Sequence, residues 1–315
     1  MLNLNSKMAQ EAKKSTASEN IIVNIIIFIV IWILIMIAEA IIPGLMSNGE
    51  LQERMLAEGL YENMDFNRIM AISSEVSLKP KYFIPSLLCT GFGTLISIIY
   101  CRFIEARHLS SMGMRKKKAG LHYLQGLAVG LALISAVVLI PTLFGINRIA
   151  LCTNINFGLI GLYLVGFLIQ GMSEEFIFRG YFMNTLASRH NPIIAIIVSS
   201  CAFSLAHIFN PGYNLLIFFN LALFGAFASL YMIYFDDIWG VCAIHSIWNF
   251  TQGNFYGISV SGTGNTESIF RTTAMSSSAI LTGGDFGAEG SIITTIVLAS
   301  ACAFMLYRIS KKTDV

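Results

Sequence analysis

Ser173-Glu-Glu-Phe-Ile-Phe-Arg-Gly180 closes an apolar run, Phe157 to Met172, that carries no charge. Two adjacent carboxylates and an arginine inside a would-be membrane helix are costly. Ionisable groups are rare there, face protein or trapped water, and by default mark a functional site. On a helix Glu175 and Arg179 are i,i+4 neighbours and can pair. Glu174 lies about 100° further round the axis, out of easy reach of the same guanidinium. The spacing predicts that Glu175 is tied into a structural ion pair and that Glu174 is left for chemistry.

The composition says what surrounds this stretch. The chain has 315 residues, is 55% hydrophobic and only 12% charged, and has a mean hydropathy of +0.69. A soluble domain carries roughly twice that charged share. The surplus apolar surface is expected to face lipid, which points to an all-α membrane protein. A net charge of +2 argues for neither nucleic acid nor an acidic partner. The six cysteines lie in apolar runs with no C-x-x-C spacing, so they read as small buried hydrophobes.

In chain order, residues 1–20 form a polar tail expected to lack fixed structure. Ile21–Ile42 is a first span, too long for the core of a signal peptide although Ala38-Glu39-Ala40 resembles a cleavage site. Pro43-Gly44 is expected to end it. Residues 45–81 are soluble in character, and Leu51, Met55, Leu56 and Leu60 recur at the spacing of a helix lying along a membrane surface. Further spans are expected at Tyr82–Phe103, Leu121–Phe144, Phe157 into the two glutamates, Pro192–Ile208, Tyr213–Phe235, Ile238–Phe250 and Ile292–Tyr307. A Gly/Ser/Thr-rich segment fills Gly253–Gly290. The domain plan is thus a tail, a first span with an outer segment to residue 81, and a core over 82–310.

About eight spans put both termini on one side. Arg102, Arg107, Arg115 and Lys116–Lys118 make the strongest basic cluster, which belongs in the cytoplasm. With the amino terminus inside, most of the 20 lysines and arginines fall on that side, so both termini are expected to be cytoplasmic.

Two later spans carry polar residues. Phe203-Ser-Leu-Ala-His207 embeds one histidine; His245-Ser-Ile-Trp-Asn249 embeds another, with an asparagine on the same helical face. Taken singly, such a residue is more often a helix–helix hydrogen bond than a catalyst. The set is more informative. At about 1.5 Å per residue, Glu174 and His207 lie roughly 22–25 Å from the polar turn Arg189-His190-Asn191 and can face each other across a hairpin. His245, roughly 12 Å from its own end, reaches that depth if the hairpin tip projects about 10 Å from the bilayer. A glutamate–histidine pair can deprotonate water, and a second histidine with an amide can hold an oxyanion. Glu174, His207 and His245 could instead ligate zinc in a three-ligand site with one open position.

The ordered set Glu174-Glu175-x-x-x-Arg179, Phe203-x-x-x-His207 and His245-x-x-x-Asn249 resembles the three motifs of the CAAX-protease and bacteriocin-processing family of intramembrane proteases, which have an eight-helix core. The resemblance covers roughly residues 85–310 and takes in Ser111-Met-Gly-Met-Arg115 and Gly283–Gly290. It implies an endopeptidase in which Glu174 and His207 activate water, His245 and Asn249 form the oxyanion hole, and Glu175 and Arg179 support them. The substrate it implies is a peptide or protein, lipidated or not, met within the bilayer. The family has been described both as metalloproteases and as metal-free glutamate proteases. The reading adopted needs no cofactor; the alternative uses zinc on Glu174, His207 and His245. A non-catalytic immunity or scaffold protein, and a transporter using Glu and His as a proton relay, are the readings from other classes.

Overall fold

In lipid each backbone polar group must find its partner within its own segment, so apolar runs of this length become helices. The computed structural model describes residues 4–312. Among them α1 spans Lys7–Ala12, α2 Ile21–Ala57, α3 Phe66–Ser77, α4 Pro80–Cys89, α5 Gly91–Ile99 and α6 Ala119–Leu143. A short strand β1, Asn147–Leu151, precedes α7 (Phe157–Glu175), α8 (Asn184–Arg189), α9 (Pro192–Leu205), α10 (Leu215–Phe235) and α11 (Trp239–Phe250). β2 (Phe270–Ala274), α12 (Ala279–Thr282) and α13 (Ile292–Lys312) complete the chain. Among the described residues six helical stretches are long and apolar enough to cross a membrane: 21–57, 80–104, 119–143, 157–189, 215–235 and 292–312. α9 and α11 stand where the remaining two spans are expected but have only 14 and 12 residues. The result is an all-α membrane bundle.

Three expectations need correction. Pro43-Gly44 does not end the first span, because α2 continues unbroken to Ala57. Leu51, Met55 and Leu56, expected on a surface helix, extend this same rod instead, and Leu60 lies in the turn beyond it. Its end is clasped to α3 by Arg68, which donates to both carboxylate oxygens of Glu58 at 2.6 and 2.7 Å. The amino-terminal segment is not free either. Ser6 caps α1, Met8 and Ala12 are fully buried, and Glu11 bonds Ser110 and Arg115. Thr16 donates to the carbonyl of Ile104, and Arg189 to that of Ser15. The polar residues of this tail are partners for loop groups rather than a solvated coil. Finally, α9 stops at Leu205, so His207 sits in the turn beyond it rather than within the helix.

The helices meet where side chains are small. Gly126 and Gly130 on α6 face the backbone of Gly240 and Ile244 on α11, so an added Cβ at either would strike main chain. Small residues four apart are a usual device for close approach of membrane helices. Two connections between helices pair as an antiparallel ribbon with Asn147 opposite Ala274. All six cysteines are free.

Candidate active site

The two glutamates end α7, and the backbone then widens into a π-helical stretch, Phe176–Met183, that contains Arg179. A π turn misaligns carbonyls, and such turns often lie at functional sites. Here the displaced carbonyls are satisfied from the side: Asn184 donates to the carbonyl of Arg179 at 3.0 Å and Arg107 to that of Gly180 at 3.3 Å. Arg107 is itself buried and paired with Glu105 at 3.1 Å.

Within this frame Glu175 and Arg179 form the expected pair, 3.1 Å apart and both fully buried. The guanidinium also lies 4.4 Å from the ring centroid of Phe203. Glu175 does more than pair. Its Oε1 stands 2.8 Å from Nδ1 of His245. The opposite nitrogen of that ring, Nε2, faces Oε2 of Glu174 at 3.7 Å. A carboxylate only accepts, so Nδ1–H donates to Glu175 and the ring is aimed at Glu174. This proximity depends on Gly171, one turn before Glu174. A Cβ there would lie 2.5 Å from the backbone nitrogen of Ser246, so only glycine lets α7 pack this tightly on α11.

Glu174 lines a cavity of about 400 Å³ together with His207, His245 and Asn249. Its Oε1 accepts from Gln170, whose own oxygen accepts from Asn249 at 2.9 Å. Its Oε2 is buried and has no hydrogen-bond partner. His207 bonds the carbonyl of Phe203 at 2.9 Å through Nδ1. A carbonyl only accepts, so Nδ1 carries a proton, and Nε2 offers a lone pair whenever the ring is neutral. The edges of the His245 ring are held by Phe224 and Phe203, with centroids 5.0 and 5.7 Å away.

Three wall residues escaped the sequence reading. Gln170 was passed over as the one polar side chain in an uncharged run. Glu39 belongs to a stripe of α2 (Asn24, Phe28, Ile31, Ile35) that faces the bundle. An added Cβ on Gly93 would lie 2.8 Å from its Oε1, so this glycine makes room for the carboxylate. A lone acid in an apolar span is itself the signal that could have found it. Glu289, on the turn Ala288–Gly290, accepts from the amide and hydroxyl of Ser261 at 2.8 and 2.9 Å. Burial pushes its carboxyl up, against the Ser261 hydrogen bonds and the nearby His207 and His245. Asn220 fixes that turn by donating to the carbonyls of Glu289 and Ser291.

The zinc alternative can be weighed against these donors. Among the described residues no group of three or more His, Cys, Asp or Glu is arranged to hold a metal ion. The Nδ1–H of His245 is held by Glu175 and its Nε2 faces Glu174, an orientation that suits a general-base site and a ligating histidine alike.

Residues 156–251 match the family described as type II CAAX prenyl endopeptidase Rce1-like. This Rce1-like region is consistent with the CAAX-protease and bacteriocin-processing family and contains all seven residues named in the three motifs. No curated protein and no solved structure matches the chain. Glu39 and Glu289 lie outside the matched region.

Proposed function

We propose that the cavity is the active site of an intramembrane endopeptidase that hydrolyses a peptide or protein substrate, lipidated or not, without a metal. The observation that carries this reading is the unpartnered, buried Oε2 of Glu174, which faces Nε2 of His245. Such an oxygen in a bilayer-embedded cavity is costly to keep unless it works on a ligand.

In this reading Glu174, with Nε2 of His207, holds a water and takes one of its protons as general base. The remaining hydroxide oxygen bonds the scissile carbonyl carbon. The negative oxygen that results is met by an N–H of Asn249 and, when its ring is protonated, by Nε2–H of His245. Glu174 then gives its proton to the amide nitrogen as the C–N bond breaks, leaving a carboxylic acid and an amine. Glu175 and Arg179 touch no substrate: they hold His245 in tautomer and direction. One arginine and one imidazolium against two carboxylates leave the group neutral overall, which suits a low dielectric.

The orientation belongs to the same proposal. The basic cluster, α1 and the end of α13 share one side, read as cytoplasmic by their lysines and arginines. The β1–β2 ribbon lies on the other. A cysteine in place of exposed Lys116 should then label only from the cytoplasm, and one in place of exposed Ser277 only from outside.

The enzymatic reading is tested by incubating the purified protein in nanodiscs with internally quenched peptides, with and without chelator. Cleavage that survives chelation supports it. Cleavage abolished by chelation and restored by one divalent ion transfers Glu174, His207 and His245 to the zinc reading. No cleavage of any peptide, with function intact in cells, favours a scaffold.

A further inference from the structure

A second pocket, of about 670 Å³, opens where α6 begins and α10 and α13 end. All three are helices long and apolar enough to cross a membrane, so the pocket lies at the level of lipid headgroups. Lys7, Arg115, Lys117, Lys118 and Lys312 line it, with His122, Asp236 and Asp237. The two acids are already engaged. Asp236 pairs with Arg115 at 3.3 Å and accepts from the first amides of α1, and Asp237 bonds His122 and the amide of Trp239. Lys312 donates to the carbonyl of Tyr234. The ammonium groups of Lys117 and Lys118 have no acceptor among the described residues and are exposed.

The same place presents the start of a 25-residue helix with no acidic residue in its first turn and no side-chain cap. An added Cβ on Gly120 would meet nothing within 4 Å, so this end is open to a ligand. Arg115, in the pocket wall, is already shared between Glu11 and Asp236 at 3.0 and 3.3 Å. Free lysines and an uncapped helix start converge, and each of them favours an oxyanion.

We propose that this pocket binds a phosphoryl anion, carried by an anionic phospholipid headgroup or by free phosphate. The site is remote from the glutamates at the end of α7 and does not depend on the peptidase reading. Occupancy ties the amino-terminal segment, the basic loop and the end of α13 together, because each supplies a cation to the same ligand.

The test uses the full chain, delipidated in a neutral detergent, as wild type and as the Lys117→Ala/Lys118→Ala double variant. Phosphatidylglycerol, phosphatidylcholine and inorganic phosphate are titrated separately, with the thermal midpoint and lipid retention in native mass spectra as readouts. Both lysines are exposed, so the unliganded variant should melt as wild type does. Phosphatidylglycerol should raise the wild-type midpoint where phosphatidylcholine does not. Its apparent Kd should rise about thirtyfold in the double variant, the scale of two lysines near an anionic surface. A phosphate-induced shift of equal size, lost in the same variant, would assign the site to the soluble anion. Equal affinity of wild type and variant for both anions, or equal response to the two lipids, would overturn the proposal.

Discussion

His245 Nδ1 lies 2.8 Å from Oε1 of Glu175, so the neighbour of the free carboxylate is the residue that aims the imidazole at it. Adjacent glutamates therefore face opposite ways. Glu175 faces inward to Arg179 and His245 with no exposed surface, while Glu174 faces the cavity.

Removing Arg179 should damage folding before chemistry. The pair is fully buried, and deleting one partner of a buried pair costs about 3–5 kcal/mol because the other charge is left uncompensated. Arg179→Ala should lower yield and the melting midpoint in detergent. A variant that melts as wild type does would show that the pair is not structural.

Asn249→Ala should cut turnover by about 10²–10³-fold, the cost of one oxyanion donor, with little change in KM. Because Asn249 also donates to Gln170, the control is Gln170→Ala, which removes that link and keeps the amide. Equal losses in both variants would assign Asn249 to positioning Glu174 instead.

Glu39 gives a contrast of charge. Glu39→Gln keeps the shape of the cavity wall and should leave hydrolysis close to wild type. Glu39→Lys places an ammonium in the cavity with Glu174, engages its free oxygen and should lower the rate by about 10²-fold, the scale of a general base. Full activity in the lysine variant would mean that Glu39 does not share a working space with Glu174.

Acid should loosen the joint between α2 and α3. The Arg68 hydrogen bonds hold the Glu58 carboxyl below its ordinary value of 4.5, and Arg54 does the same for Glu75. A carboxyl depressed in the fold contributes stability that is fully present above the unfolded value and is lost as pH falls through the folded one. Proteolysis of the 58–65 connection should thus be slow near neutrality and rise below about pH 4.5. A flat profile from pH 7 to 3 would exclude the clasp.

Much of this was legible because lipid makes the code simple. Apolar length gave the helices, and the i,i+4 spacing gave the Glu175–Arg179 pair. What escaped depends on long-range packing. Nothing local tells that Pro43 continues a helix, since proline is tolerated in a membrane rod when neighbours satisfy the carbonyl it frees, here that of Glu39, four residues before. The polar amino-terminal segment looked free because its partners, Ser110, Arg115 and Arg189, lie far along the chain. His245 was read as an oxyanion donor from its place in a motif. Its hold on Glu175 appears only once Gly171 has let two backbones meet.

The central claim is that Glu174 works directly on water. The most direct measurement is single-turnover cleavage of a bound peptide by purified Glu174→Gln, compared with wild type in the same nanodiscs and with the melting midpoint of each. The Glu174→Gln protein should fold, melt and bind peptide as wild type does but lose cleavage. A glutamine variant that cleaves at the wild-type rate would contradict it.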